Sequence, residues 1–133
     1  EGPSPHRHER AILTALQDPD AVERARIRVE KIQAPIILLS ATDDGAWPSS
    51  LYSKMVVDHL NEHNFKYDVR WVDTDEGGHG IVFPYVPTTQ IIYKHPVSGK
   101  VSTNGGKASA NARSDLRSWN EIKDFLWLAV KGQ

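Results

Sequence analysis

Two short segments carry residue types that could do chemistry together. Thr42-Asp43-Asp44-Gly45 supplies carboxylates, and Gly77-Gly78-His79-Gly80 supplies an imidazole, with Asp44 and His79 separated by 35 positions. A carboxylate beside a histidine makes the acid–base part of a nucleophilic relay. The carboxylate fixes the imidazole tautomer and stabilises the imidazolium, and the imidazole takes the proton of a Ser or Cys nucleophile. Glycines around His79 would let the backbone turn tightly and set the ring over a sheet edge. Asp43 and Asp44 both stand in that loop as candidate acids, and a one-residue offset would exchange them. Taken singly, Asp44 also reads as an ordinary turn residue after a strand, and His79 as an ordinary loop histidine.

The nucleophile of such a relay does not stand in this chain. There is no Cys, and no Ser lies between two glycines at the spacing of a nucleophile elbow. Other motifs are weaker. His59-Leu60-Asn61-Glu62-His63 spells H-x-x-E-H, a pattern of inverted zinc peptidases. It falls at the end of a helix, before the helix stop at Asn64, where the macrodipole alone favours histidine. His6-Arg7-His8 lies in an unpatterned leader, where any metal affinity would be accidental. Trp119 and Trp127 are eight positions apart and read as packing anchors. The charges of Glu23–Arg28 read as a solvated helix end. Gly106-Lys107 fails as a phosphate loop, because Val101 replaces the first Gly and Ala108 the Ser or Thr. No metal and no cofactor is implied.

The elements that must position Asp44 and His79 follow from periodicity. Ala34–Ala41 is a short continuous apolar run ending in Thr42-Asp43-Asp44-Gly45, which suits a strand buried on both faces of a parallel sheet. Ser49–His63 places Leu51, Tyr52, Met55, Val56 and Leu60 at helical spacing, and Tyr67–Val72 alternates as a strand. Strand, helix, strand makes a right-handed βαβ unit, so both loops emerge on one sheet edge, where ligands of open α/β sheets bind. Upstream, short helices are expected over Ala11–Gln17 and Pro19–Arg24, with Asp18 as a cap, after a loose start at 1–10. Downstream, Gln90–Lys94 and Lys100–Thr103 form a possible hairpin. A helix over Asn111–Lys131 carries Leu116, Trp119, Ile122, Phe125, Leu126 and Val130 on one stripe.

The chain has 133 residues, 25% of them charged, with a formal net charge of −1. Such a balance offers no field for nucleic acid or anionic lipid. No apolar run approaches the roughly 18 residues of a membrane span. The absence of Cys fits a reducing, cytoplasmic setting. Two parallel strands need both faces covered and rarely stand alone. With a first residue other than Met, this leads to the expectation that the chain is the end of a larger sheet.

In order and spacing, these motifs resemble the C-terminal region of α/β-hydrolases. More narrowly, they resemble the acyl-CoA thioesterase and bile acid-CoA:amino acid N-acyltransferase family. The resemblance runs over roughly 27–128 and rests on several segments. These are Ile27-Arg28-Val29-Glu30-Lys31, then Asp43-Asp44 with Trp47-Pro48-Ser49, then Gly78-His79 with Pro84-Tyr85 and Pro87. Gly105-Gly106, Asn111-Ala112, Ser118-Trp119 and Phe125-Leu126 complete it. It implies a triad acid at Asp44 and a triad base at His79, with the nucleophile and oxyanion donors in upstream segments. Departures are Ala41 for a frequent Gly, Asp73 for a frequent Pro, and a longer Val72–Gly77.

The resulting expectation is an α/β fold, with residues 1–26 a lead-in and 27–133 the C-terminal portion of an α/β-hydrolase domain. It would be part of a Ser- or Cys-type hydrolase or acyltransferase acting on acyl-CoA or esters, inactive alone. Its partner would be the missing N-terminal half or a second copy. The rival is a non-catalytic interaction module whose exposed sheet edge pairs with a partner.

Overall fold

A computed structural model describes residues 4–81 and 83–131; the expected loose start at positions 1–3 lies outside them. The elements in chain order are helices α1 (Glu9–Ala15) and α2 (Pro19–Ala25), a 3-10 turn at Val29–Lys31, strand β1 (Ile36–Ala41) and helix α3 (Ser49–Glu62). Strands β2 (Val69–Thr74), β3 (Ile92–Lys94) and β4 (Val101–Thr103) and helix α4 (Ala108–Lys131) follow. The fold is α/β, with a parallel β1–β2 pair joined through α3 and a separate antiparallel β3–β4 pair. Asp18 caps α2 as expected, its Oδ1 accepting from the Ala21 N–H at 3.0 Å.

The β1–β2 register sets Ile36 beside Val69 and Ala41 beside Thr74. Strand β2 therefore lies two residues beyond the expected Tyr67–Val72 span. The reason is Asp73, which reads as a loop residue in sequence but sits opposite Ser40 inside the sheet. Its Oδ1 accepts from Ser40 Oγ at 2.6 Å and from Ser50 Oγ of α3 at 2.7 Å, so two hydroxyls hold it within the strand. Alternate residues of a strand face opposite sides. Asp73 meets α3, while Thr74 and Arg70 meet Ser114 and Glu121 of α4. The two helices thus cover opposite faces of the sheet.

The stripe expected on α4 is not the face it buries. Ala110, Asn111, Ser114, Asp115 and Ser118 are buried, whereas Leu116, Leu126 and Val130 are 43%, 55% and 71% exposed. Small side chains at i, i+4 and i+8 let the helix backbone approach the narrow sheet closely, and Ser114 Oγ donates to Thr74 Oγ1 at 3.2 Å. The bulky residues flank that seam. Trp119 packs edge-on against Phe83, and the Phe125 ring lies 5.8 Å below the Arg70 guanidinium carbon. The start at 6–8 is also not loose: the His6 N–H donates to Val101 O and the Thr103 N–H to His6 O, so this segment lies along β4. Among the described residues no helix is long and apolar enough to cross a membrane.

Leu60, at 1% exposure, anchors α3 in the core. Leu60→Ala is expected to cost about 2–5 kcal/mol in chemical denaturation. Leu126→Ala, on the sequence-predicted stripe, should stay within about 0.5 kcal/mol of the parent.

Candidate active site

Strands β1 and β2 end side by side, and their loops stay joined by backbone hydrogen bonds. The Thr42 N–H donates to Thr74 O at 3.0 Å and the Asp43 N–H to Gly77 O at 2.9 Å. A third segment then closes over both. Asn104 O accepts from the Gly45 N–H at 2.9 Å and from the His79 N–H at 2.8 Å, so one carbonyl holds the acid loop and the histidine loop together. The Gly78 N–H donates to the buried Asn111 Oδ1 at 2.7 Å, tying the same loop to α4.

Within this frame the Asp44 carboxylate is 3% exposed and accepts from three directions. Its Oδ1 accepts from the N–H groups of Ala46 at 2.8 Å and Trp47 at 3.1 Å, an Asx turn. Its Oδ2 lies 3.1 Å from His79 Nδ1. An ionised carboxylate is acceptor-only, so His79 Nδ1–H is the donor, and Nε2 keeps its lone pair on the far side of the ring. The His79 side chain is 38% exposed, and the Trp47 ring stands edge-on to it at 5.3 Å. A buried acceptor and an oriented, partly exposed imidazole suit a general base held in one tautomer.

Asp43, one residue earlier, faces another way. Its Oδ1 takes a 2.8 Å ion pair from Arg7 Nη1, and its Oδ2 accepts from the Gly106 N–H at 2.9 Å. Arg7 also donates to Asp44 O at 3.0 Å and to Glu9 Oε2 at 3.0 Å. Burial works to lower the pKa of Arg7, but its bonds to Glu9 and Asp43 outweigh that and raise it. The Val72–Gly77 stretch continues β2 to Thr74 and then turns through Glu76 at φ 56°. The Asp75 carboxylate accepts there from Thr42 Oγ1.

Several of these positioning residues had no role readable from sequence. Arg7 reaches Asp43 across 36 positions, with no local signal. Asn104 acts through its main chain, which residue type does not report. As a pair, Gly105-Gly106 enter the sequence reading only through the resemblance, yet their φ values of 73° and 79° and their close approach to both loops make them the seam.

A family profile described as BAAT / Acyl-CoA thioester hydrolase C terminal matches residues 7–131. The chain belongs to this family. Mouse acyl-coenzyme A thioesterase 6 is 32% identical over 118 residues, covering 89% of this chain and 27% of the relative. Rat acyl-coenzyme A thioesterase 1 is 26% identical over 122 residues, 92% of this chain and 29% of the relative. Rat acyl-coenzyme A amino acid N-acyltransferase 2 is 31% identical over 98 residues, 74% of this chain and 23% of the relative. The chain thus spans about a quarter of the length of the relatives it matches. In this member of the acyl-CoA thioester hydrolase C-terminal family, the loop carrying Asp44 follows β1 and the loop carrying His79 follows β2.

Gly105 combines a left-handed φ with a position where a methyl group would overlap the Asp43 carbonyl oxygen. Gly105→Ala is expected to destabilise the fold by about 2 kcal/mol or more. Its largest amide shift changes in a heteronuclear NMR spectrum should fall on 43–45 and 77–79. Changes confined to 103–107 would contradict the seam.

Proposed function

We propose that this chain supplies the acid, Asp44, and the base, His79, of an acyl-transfer relay acting on acyl thioesters, and that the nucleophile comes from outside the chain. The observation that carries the reading is the 3.1 Å contact between His79 Nδ1 and a nearly inaccessible Asp44 carboxylate, on a ring whose side chain is 38% exposed. Membership of a family with thioesterase and N-acyltransferase relatives supports a thioester substrate.

In the proposed mechanism a Ser or Cys approaches Nε2 of His79 and loses its proton to it as it attacks the thioester carbonyl. Asp44 stabilises the imidazolium that forms. The tetrahedral adduct collapses with departure of the thiol, which takes the proton from His79. Water or an amine, deprotonated by the same imidazole, then releases the acyl group as an acid or an amide. Hydrolase and transferase would differ in the acceptor admitted, not in these two residues.

Two features support this division of labour. Among the described residues, β1 pairs with β2 alone, leaving its other edge for a strand that would carry the upstream machinery. Trp47, beside His79, also lines an apolar groove of about 560 Å³ between α2 and α3, with Val22, Ala25, Leu39, Tyr52, Met55 and Val56. An acyl chain matches the apolar character of such a lining.

The isolated chain should show no acyl-CoA hydrolysis above a heat-denatured control, because it holds no suitable nucleophile. In the polypeptide that joins this region to a nucleophile, His79→Ala should lower kcat by about 10³–10⁴-fold, and Asp44→Asn by a comparable factor. Asp43→Asn should leave kcat within about tenfold, since its partners are structural. Full turnover in the His79→Ala protein would refute the assignment.

A further inference from the structure

The H-x-x-E-H motif at the end of α3 is not absorbed by the reading above, and its geometry carries a separate assignment. Residues at i, i+3 and i+4 share one helix face, and the ligand-capable atoms of His59, Glu62 and His63 lie within 4.8 Å of one another. Around zinc, with bond lengths near 2.0–2.2 Å, tetrahedral ligand atoms sit about 3.3 Å apart. The remaining closure can be made by Glu62, whose exposed side chain is free to change rotamer.

The surroundings of the two rings are those of metal ligands. His59 Nε2 lies 3.0 Å from Glu30 Oε2, and His63 Nδ1 lies 2.8 Å from His59 O. Both acceptors are fixed, so each ring gives one N–H away and presents its other nitrogen as a lone pair. Metal-binding histidines are oriented in this way, by a carboxylate or a carbonyl behind the ring. The anchoring pair is well shielded, with His59 at 12% and Glu30 at 16% side-chain exposure. The ring centroids lie 4.1 Å apart at a tilt of 38°, so the two imidazoles are neighbours in space as well as in sequence.

We propose that His59, Glu62 and His63 bind a divalent transition-metal ion of the zinc class, with Glu30 as the positioning residue behind His59. Two imidazole nitrogens and one carboxylate oxygen favour Zn²⁺, Ni²⁺ or Cu²⁺ over Mg²⁺ or Ca²⁺, which prefer all-oxygen shells. Helix α3 starts beside Trp47 and runs back along the sheet, so at 1.5 Å per residue His59 sits about 15 Å along the helix from the candidate active site. The ion is therefore a clip and not a reaction centre. It would tighten the link between α3 and the 3-10 turn Val29–Lys31 that leads into β1.

The test is calorimetric titration of the chain with ZnCl₂ in a His6→Ala/His8→Ala background, which removes the leader histidines. The expected result is saturable binding of one ion. His63→Ala and Glu62→Gln, both on exposed side chains, should each weaken it at least about tenfold. Glu30→Gln, which keeps all three ligands, should weaken it by about 10–100-fold. MgCl₂ at the same concentrations should give no isotherm. Circular dichroism of each variant checks that the fold is kept. Absence of saturable Zn²⁺ binding, or affinity unchanged in folded His63→Ala, would overturn the proposal.

Discussion

The site depends on the backbone joint between its two loops. Two loops leave adjacent parallel strands, and their tips must stay in hydrogen-bonding reach. Thr74 O and Gly77 O accept directly from the Thr42 and Asp43 N–H groups, and the carbonyl of Asn104 brackets both tips by accepting from the N–H groups of Gly45 and His79 together. For the carbonyl to reach both, the following residues must pass between the loops without side chains, and Gly105-Gly106 do so with positive φ. Asn111 then fixes Gly78 from α4, and Arg7 fixes Asp43 from the chain start. The Asp44–His79 contact is a consequence of this frame, not its cause.

The same frame explains how neighbouring aspartates come to differ. Asp43 is engaged by a guanidinium and a main-chain N–H at the α4 end of the loop, whereas Asp44 turns inward to two N–H groups and an imidazole. Only the inward carboxylate is placed to orient a general base. Arg7 binds both the Asp43 side chain and the Asp44 carbonyl, so it ties the Asp43 carboxylate to the Asp44–Gly45 peptide.

What sequence makes legible here is whatever depends on local pattern. The apolar run of β1, the helical spacing of α3 and the cap at Asp18 are short-range properties, and the structure places each within a few residues of its expected position. A crossover unit brings two strand ends together, which makes a pairing of the Asp43-Asp44 loop with His79 readable, while the family resemblance points to Asp44 of the two. The remainder arises from contacts between distant segments. Asp73 looks like a loop residue until Ser40 and Ser50 are seen to bond it. On α4 the periodic apolar residues attract attention, yet close approach to the sheet selects Ala110, Ser114 and Ser118. No residue type announces that the Asn104 main chain carries the joint.

The central claim is that Asp44, held by this frame, fixes the His79 imidazole with its proton on Nδ1. Long-range ¹H–¹⁵N correlation of the imidazole nitrogens, on the parent chain and on Asp43→Asn and Asp44→Asn, reads that directly at a pH where the ring is neutral. The account predicts a protonated Nδ1 and a bare Nε2 in the parent and in Asp43→Asn, and loss of that tautomer preference in Asp44→Asn. A His79 spectrum that changes with Asp43 and not with Asp44, or one already averaged between tautomers in the parent, would contradict it.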